Sequence, residues 1–283
     1  EAWLQRYQMK LLQTIEHSNV KTSMEESAMQ HATESLRFRD MEQLKYSMRS
    51  IRTFLPWVRN IYIVTDNQVP DWLNVTAAKQ DNVFIVDHKE IFPVETHGHL
   101  PSYNSYAIEL NLHRIQGLGE CFLYVQDDQF FIKPIAMDRF YYNHTANEMH
   151  YHIVQENIEE ERSKHSNPWL NTWAYTHDAF CNKFKLNTTE CKSSEWRFSN
   201  HVPQMYKKQY LKELELMYFR NEFQETRSHS FRTAQDLSIT MVLYNHYVKR
   251  RHEKVQRNGR VTLRDDTTSL FHISHISDMM HVT

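Results

Sequence analysis

Three short apolar runs separated by helical patterns constrain the fold of this chain more than any other feature. Runs 61–66, 83–87 and 121–125 are rich in β-branched and aromatic residues and stop at polar residues, as strands buried on both faces do. Stretches 40–55 and 105–115 carry apolar side chains at spacings of three and four, which predicts amphipathic helices. Helices that alternate with buried strands are typical of parallel sheets. The sequence therefore predicts an α/β fold with a Rossmann-like, mostly parallel sheet.

Each predicted strand ends in acidic residues, namely Asp66, Asp87, and Asp127 with Asp128. If the three strands are parallel and adjacent, these carboxylates meet at one edge of the sheet, where such folds bind ligands. Carboxylate oxygens suit Mg²⁺ or Mn²⁺ bound to a nucleotide diphosphate. A turn that follows a strand also explains the pair Asp127 and Asp128.

Composition excludes several classes of function. The chain of 283 residues has a net charge of −2, so it lacks the basic excess that nucleic-acid binding requires. Only 4 glycines are present, and no glycine-rich phosphate loop can be written with them. A phosphate must therefore be held by a metal ion or by cationic side chains.

Sequons and cysteines bear on the cellular compartment. Asn74, Asn143 and Asn187 begin three N-x-[ST] sequons in stretches with turn character, which favours a secretory lumen. Cys181 and Cys191 flank a polar loop that holds one of these sequons. A disulfide between them would suit the same oxidising compartment.

Two residues in the second half have side chains suited to phosphate-transfer chemistry. His201 and Arg232 each lie just before a predicted helix, at 205–219 and 234–248 respectively. A neutral histidine can take a proton from a sugar hydroxyl, and an arginine can stabilise charge on a transferring phosphate. Because the chain has 18 histidines, a structural role for His201 is the plainer alternative.

Three ordered blocks, 37–73, 100–128 and 201–236, carry motifs found together in one known family. They include Pro-Trp-Val-Arg-Asn-Ile-Tyr-Ile-Val-Thr-Asp-Asn from residue 56, Leu-Pro-Ser-Tyr-Asn-Ser from residue 100 and His-Val-Pro from residue 201. The second block closes on Gln126-Asp127-Asp128, where the family usually has Asn-Asp-Asp. With these motifs the chain resembles the Stealth family, whose enzymes transfer hexose 1-phosphates.

The resemblance implies roles for the residues at matching positions. It gives Asp128, His201 and Arg232 catalytic places and puts Asp127 with Asp128 at a Mg²⁺ or Mn²⁺ ion. The positions that it implies for donor binding are Arg49, Asp66, Asn104 and His113.

The sequons make the resemblance closest to the eukaryotic branch of the family. That branch implies UDP-N-acetylglucosamine as donor and the 6-hydroxyl of mannose on high-mannose glycans of lysosomal enzymes as acceptor, the first step of the mannose 6-phosphate tag. It also implies a homodimer in the Golgi lumen, anchored through membrane segments absent from this chain. Two alternatives stay open: a metal-dependent glycosyltransferase that releases UDP, and a non-catalytic glycan-binding domain.

The domain organisation follows from the same comparison. The family usually opens with a strand ending in Thr-Trp-Val-Asp-Gly, which has no counterpart here, so we expect 1–36 to be an N-terminal segment without that strand. We expect 37–283 to be the catalytic domain. Its first part, 37–140, is the predicted Rossmann-like half, and 141–283 is predicted to be largely helical and rich in aromatic residues, with short strands.

Overall fold

The computed structural model describes residues 5–10, 13, 41–143, 148–149, 168–191 and 202–256. In these residues the chain is a mixed α/β structure, which confirms the predicted fold class. After a helical turn at 5–10, the helices are α1 (Gln43–Phe54), α2 (Val75–Gln80), α3 (His88–Ile91), α4 (Ser105–Glu109), α5 (Pro168–Phe184), α6 (Thr188–Cys191), α7 (Lys208–Glu213), α8 (Arg220–Ser228) and α9 (Tyr244–Gln256). The strands are β1 (Ile61–Thr65), β2 (Val83–Asp87), β3 (Cys121–Tyr124), β4 (Tyr141–Asn143), β5 (Glu148–Met149) and β6 (Gln204–Lys207). Short 3₁₀ helices span Val94–His99, Leu112–Arg114 and Met137–Arg139, and π-helical turns span Leu214–Tyr218 and Ile239–Leu243.

The first two strands pair in parallel, as the sequence predicts. Ile63 of β1 lies opposite Ile85 of β2, and Thr65 lies opposite Asp87. Helix α2 forms the crossover, and its first turn is capped by the side chain of Asn74. Asp66, which follows Thr65, and Asp87 therefore lie at the same edge of this sheet.

The third strand corrects the prediction of three adjacent parallel strands. Strand β3 pairs antiparallel with β6, with Cys121 opposite Lys207 and Tyr124 opposite Gln204. In the described residues β3 is not hydrogen-bonded to β1 or β2. The carboxylates of Asp127 and Asp128 therefore follow a different two-stranded sheet from the one that ends at Asp66 and Asp87.

The two helices predicted in the second half begin later than the sequence indicates. The stretch 205–219 opens with strand β6 and becomes helical at Lys208, while 234–248 becomes helical only at Ile239. A core of aromatic side chains joins these elements, and Tyr206, Phe219, Phe223 and Tyr244 are at most 1 % exposed. Burial of such a side chain contributes roughly 1.5–3 kcal/mol. Helix α5 packs into the same core.

The predicted disulfide is present. Cys181 at the end of α5 is bonded to Cys191 at the end of α6, with their Cα atoms 5.7 Å apart. Of the sequon asparagines, Asn74 and Asn187 are exposed, and the side chain of Asn143 lies outside the described residues. None of the helices in the described ranges is long and apolar enough to cross a bilayer.

Candidate active site

Two segments far apart in the sequence meet at the beginning of α4. The backbone amide of Tyr103 donates to the carbonyl of Ser230 at 2.8 Å. One residue later, the amide of Asn104 donates from Nδ2 to Oδ2 of Asp236, also at 2.8 Å. Both Asn104 and Asp236 are fully buried, so this contact is shielded from water. It fixes loop 229–236 against the start of α4.

Arg232 is held by the two residues that follow Asn104. Its Nη2 donates to Oγ of Ser105, and its guanidinium lies 5.2 Å from the centre of the Tyr106 ring. Phe231, the residue before Arg232, stacks on Tyr103 with ring centres 5.3 Å apart. This contact anchors the loop next to Arg232. The predicted catalytic arginine is thus partly exposed but fixed in direction, beside the predicted donor-binding residue Asn104.

A histidine and aspartate pair lies in the same loop. The Nδ1 atom of His229 is 2.7 Å from Oδ1 of Asp236, and Oδ2 of Asp236 also accepts the backbone amide of Thr233 at 2.7 Å. Burial alone would lower the pKa of His229, but the hydrogen bond and the charge of Asp236 outweigh it and raise this pKa. Neither His229 nor Asp236 has a role predicted from the sequence.

A buried carboxylate lies next to Arg232 in the protein interior. Glu109 of α4 accepts the hydroxyl of Tyr124 at 3.1 Å and that of Thr240 at 2.6 Å. Burial raises the pKa of Glu109, while the hydrogen bond from Thr240 and the charge of Arg232 oppose that rise. Because Tyr124 is the last residue of β3 and Thr240 lies in the π-helical turn Ile239–Leu243, Glu109 connects this strand to that turn.

Asp66 lies near the same segment from the other side. Its Oδ2 is 3.4 Å from Nη1 of Arg6, and its charge acts on the phenol of Tyr103. Burial and then the charge of Asp66 raise the pKa of Tyr103 to about 12. Since Tyr103 precedes Asn104, the charge of Asp66 acts on the segment that leads into α4, where Asn104 and Ser105 hold the Arg232 loop.

The acidic pair lies in an exposed turn after β3. The backbone amide of Gln126 donates to Oε1 of Gln129 at 3.0 Å, and the amide of Gln129 donates to the carbonyl of Gln126 at 3.2 Å. This closed turn presents the side chains of Asp127 and Asp128 to solvent. Hard carboxylate oxygens of this kind fit Mg²⁺ or Mn²⁺ with a diphosphate completing the coordination.

His201, the third predicted catalytic residue, lies outside the described residues. The described chain resumes at Val202 and enters β6 at Gln204. Because Gln204 lies opposite Tyr124, the end of β3 that leads to Asp127 is beside the start of β6.

Two further predicted donor-binding residues, Arg49 and His113, have surroundings different from those of Asn104. Arg49 is exposed on α1 and lies 5.7 Å from the centre of the Tyr46 ring. His113 is buried, with Nε2 at 2.9 Å from Oε2 of Glu215, and burial lowers the pKa of its imidazole despite this carboxylate. The contacts known for the described residues join neither side chain to Arg232, and their roles in donor binding stay predictions.

A polar cleft of about 370 Å³ lies between the 3₁₀ helix Val94–His99 and α8. It adjoins the Arg232 loop, because Oγ of Ser230 donates to the carbonyl of His99 at 3.1 Å. Among the described residues its lining consists of Glu95, Thr96, His99, Asn221, Gln224, Glu225 and Ser228, with neither lysine nor arginine.

Two conserved regions of one family match this chain. Residues 37–149 match "Stealth protein CR2, conserved region 2", and residues 200–249 match "Stealth protein CR3, conserved region 3". The chain belongs to the Stealth family. Asn104 and Ser105 lie in the Stealth CR2 region, whereas Arg232 and Asp236 lie in CR3. The contacts around Arg232 therefore join the two Stealth regions.

Curated relatives of this Stealth chain are sugar phosphotransferases. It is 46% identical over 111 residues to the capsular polysaccharide phosphotransferase fcs1 of Haemophilus influenzae, covering 39% of this chain and 29% of the relative. It is 48% identical over 105 residues to the human N-acetylglucosamine-1-phosphotransferase subunits alpha/beta, covering 37% of this chain and 8% of the relative. It is 32% identical over 215 residues to the capsular polysaccharide phosphotransferase LcbA of Neisseria meningitidis, covering 75% of this chain and 54% of the relative. The matched segments thus span from less than a tenth to about half of these relatives.

Proposed function

We propose that this chain transfers N-acetylglucosamine 1-phosphate from UDP-N-acetylglucosamine to the 6-hydroxyl of mannose on high-mannose glycans of lysosomal enzymes, the first step of the mannose 6-phosphate tag. The observation that carries this proposal is the junction of the two Stealth regions at Arg232, where Ser105 and Tyr106 hold a cation in place. The names of the curated relatives support phosphotransfer chemistry that involves sugars. The disulfide between Cys181 and Cys191 supports a secretory, Golgi-type compartment.

The transferred phosphate needs fixed positive charge, because the chain has no glycine-rich phosphate loop. Arg232 supplies that charge in a preorganised direction, which stabilises charge that develops during transfer. Asp127 and Asp128 would hold Mg²⁺ or Mn²⁺. When bound there, this ion neutralises part of the charge of the donor diphosphate.

Acceptor activation is the role proposed for His201. Its imidazole takes the proton of the mannose 6-hydroxyl as that oxygen attacks the β-phosphorus of the donor. The new bond joins the mannose oxygen to the β-phosphorus, and the bond between that phosphorus and the bridging oxygen breaks. UMP leaves with the bridging oxygen, and the bond between C1 of the sugar and its oxygen stays intact.

The polar cleft beside loop 229–236 suits the acceptor better than the donor. Glu95 and Glu225 disfavour an anionic nucleotide, and the lining within the described ranges has no lysine or arginine. Carboxylates, amides and hydroxyls bind the hydroxyls of a neutral sugar. We place the acceptor mannose in this cleft.

The fate of a radiolabel on the β-phosphorus of UDP-N-acetylglucosamine tests the proposed reaction. The protein is incubated with the labelled donor, Mg²⁺ and α-methylmannoside. Label on the mannoside together with released UMP is the expected result. Label retained in UDP beside a new sugar product would show a glycosyltransferase instead. Mannoside binding without turnover of the donor would show a glycan-binding domain.

A further inference from the structure

In the pair of His229 and Asp236, the buried carboxylate supports an imidazole that is partly exposed. Asp236 is fully buried and accepts three hydrogen bonds, from His229, Thr233 and Asn104. Hydrogen bonds from three donors compensate this buried carboxylate for the loss of water around it. Its negative charge lies 2.7 Å from Nδ1 of His229 and stabilises a positive imidazole at that position.

The orientation of the ring leaves one edge for a ligand. Nδ1 is engaged by Asp236, and Oγ1 of Thr233 lies 3.2 Å from the same nitrogen. The remaining ring nitrogen, Nε2, is therefore the atom that can donate to a bound group. The side chain of His229 is 25% exposed, so a small anion can reach it.

His229 and Arg232 are fixed by adjacent residues of one short segment. Asn104 bonds to Asp236 and, through Nδ2, to the carbonyl of His229 at 3.3 Å, while the next residue, Ser105, accepts the guanidinium of Arg232. Loop 229–236 thus presents two groups that can carry positive charge, three residues apart in the sequence and both anchored at the start of α4. A phosphate has several oxygens, so it can accept hydrogen bonds from two donors on one loop.

We propose that protonated His229, supported by Asp236, donates from Nε2 to the phosphate that the enzyme transfers, beside Arg232. This inference rests on the proposed function and identifies a further contact to the donor, in addition to those predicted from the sequence. The ligand class is the terminal phosphate of a nucleoside diphosphate. The acceptor's proton still goes to His201, so no proton leaves His229 during transfer.

The charged and titratable groups around His229 favour the protonated form of its imidazole. Asp236 in the same loop and Glu225 of α8 are acidic and both raise its pKa, against the effect of burial. Tyr175 of α5 interacts with these two carboxylates, which raise its own pKa after burial, so it stays neutral at neutral pH. The side-chain amide of Asn104, which is neutral, donates to Asp236 of this pair.

Binding of UDP and of UMP, measured by calorimetry on the full chain with Mg²⁺, tests this role. UDP has the terminal phosphate in question and UMP lacks it. We expect His229→Asn to weaken UDP binding about 10- to 100-fold, the loss that follows removal of a charge-assisted hydrogen bond, and to leave UMP binding unchanged. Wild-type affinity for UDP should fall as the pH rises through the pKa of His229 in the folded chain, and the asparagine variant should lack that dependence.

Two further variants separate a phosphate contact from a structural role. His229→Lys, which restores a cation, should recover part of the lost UDP affinity. Gln235→Ala, an exposed change in the same loop, should bind both nucleotides like the wild type. UDP affinity within twofold of wild type in His229→Asn would overturn the role of His229, and so would an equal loss for UDP and UMP. Failure of the wild type to bind either nucleotide would instead remove the proposed donor itself.

Discussion

A buried ion cluster supports the segment that carries the candidate site, and its central carboxylate gives a quantitative prediction. Glu215 lies 2.6 Å from Nη2 of Arg114, 2.7 Å from Nη2 of Arg227 and 2.9 Å from Nε2 of His113. Arg227 in turn donates to Asn111 at 2.9 Å. The cluster therefore ties the chain just after α4 to α8.

The lowered pKa of Glu215 sets the size of its contribution to the free energy of unfolding. Burial alone would raise its pKa, but the hydrogen bond from His113, the charge of Arg227 and the hydrogen bond from Arg114 outweigh burial and lower it from 4.5 to about 2. Each pKa unit corresponds to about 1.4 kcal/mol, so the ionised form of Glu215 contributes roughly 3 kcal/mol to stability. Because the folded-state pKa is depressed, this contribution is full above about pH 4.5 and is lost as the pH falls towards 2.

Glu215→Gln should therefore lower the free energy of unfolding by about 3 kcal/mol at pH 7, since Arg227, with a side chain only 5% exposed, keeps its charge without this partner. That loss corresponds to a fall in Tm of roughly 6–12 °C. The assay is urea unfolding followed by circular dichroism from pH 7 to pH 3. The difference between wild type and variant should shrink by about half over this range.

Glu42→Gln is the matched control. Glu42 pairs with Lys45 at 2.8 Å, but its side chain is 45% exposed, and a surface pair of this kind contributes at most about 1 kcal/mol. A loss below 1 kcal/mol for Glu215→Gln at pH 7 would refute the reasoning. A loss that stays constant down to pH 3 would refute it as well.

Three further changes test other parts of the molecule. Replacing Cys181 and Cys191 by serine should cost about 3 kcal/mol of unfolding free energy for a loop of 10 residues, and unchanged urea midpoints would contradict this. Arg232→Lys should lower kcat at least about tenfold with an unchanged Tm, because lysine lacks the planar fork that bonds Ser105 over the Tyr106 ring, and near-normal kcat would oppose this role. Asp128→Asn should raise the Mg²⁺ concentration needed for half-maximal activity, and full activity in excess chelator would exclude the metal role.

The sequence predicts α1, β1 and β2 well because their signals are local. The helix predicted over 105–115 is α-helical only at Ser105–Glu109 and is followed by the 3₁₀ helix Leu112–Arg114. Strands β1 and β2 are short apolar runs with a helix between them, and such runs pair in parallel through a crossover. Strand β6 was missed because it ends directly before α7. Its buried residues, such as Met205 and Tyr206, continue the apolar spacing of that helix in the sequence. The pairing of β3 was therefore wrong as well.

The candidate site is predictable only in part, for a similar reason. Arg232 was found because it lies in a recognisable block, and Asn104 was found in another. The pairing of His229 with Asp236 has no periodic signal, because loop 229–236 lacks regular structure and its geometry depends on Asn104, 132 residues before Asp236. Contacts of this range appear only when both segments are folded against α4.

The most direct measurement is a crystal structure of this chain with UDP and Mn²⁺, in which anomalous scattering locates the metal. We predict Mn²⁺ on the carboxylates of Asp127 and Asp128, and the β-phosphate of UDP within hydrogen-bond distance of Arg232 and of Nε2 of His229. A β-phosphate that lies away from Arg232, or Mn²⁺ bound to other side chains, would contradict the assignment of this site to phosphate transfer.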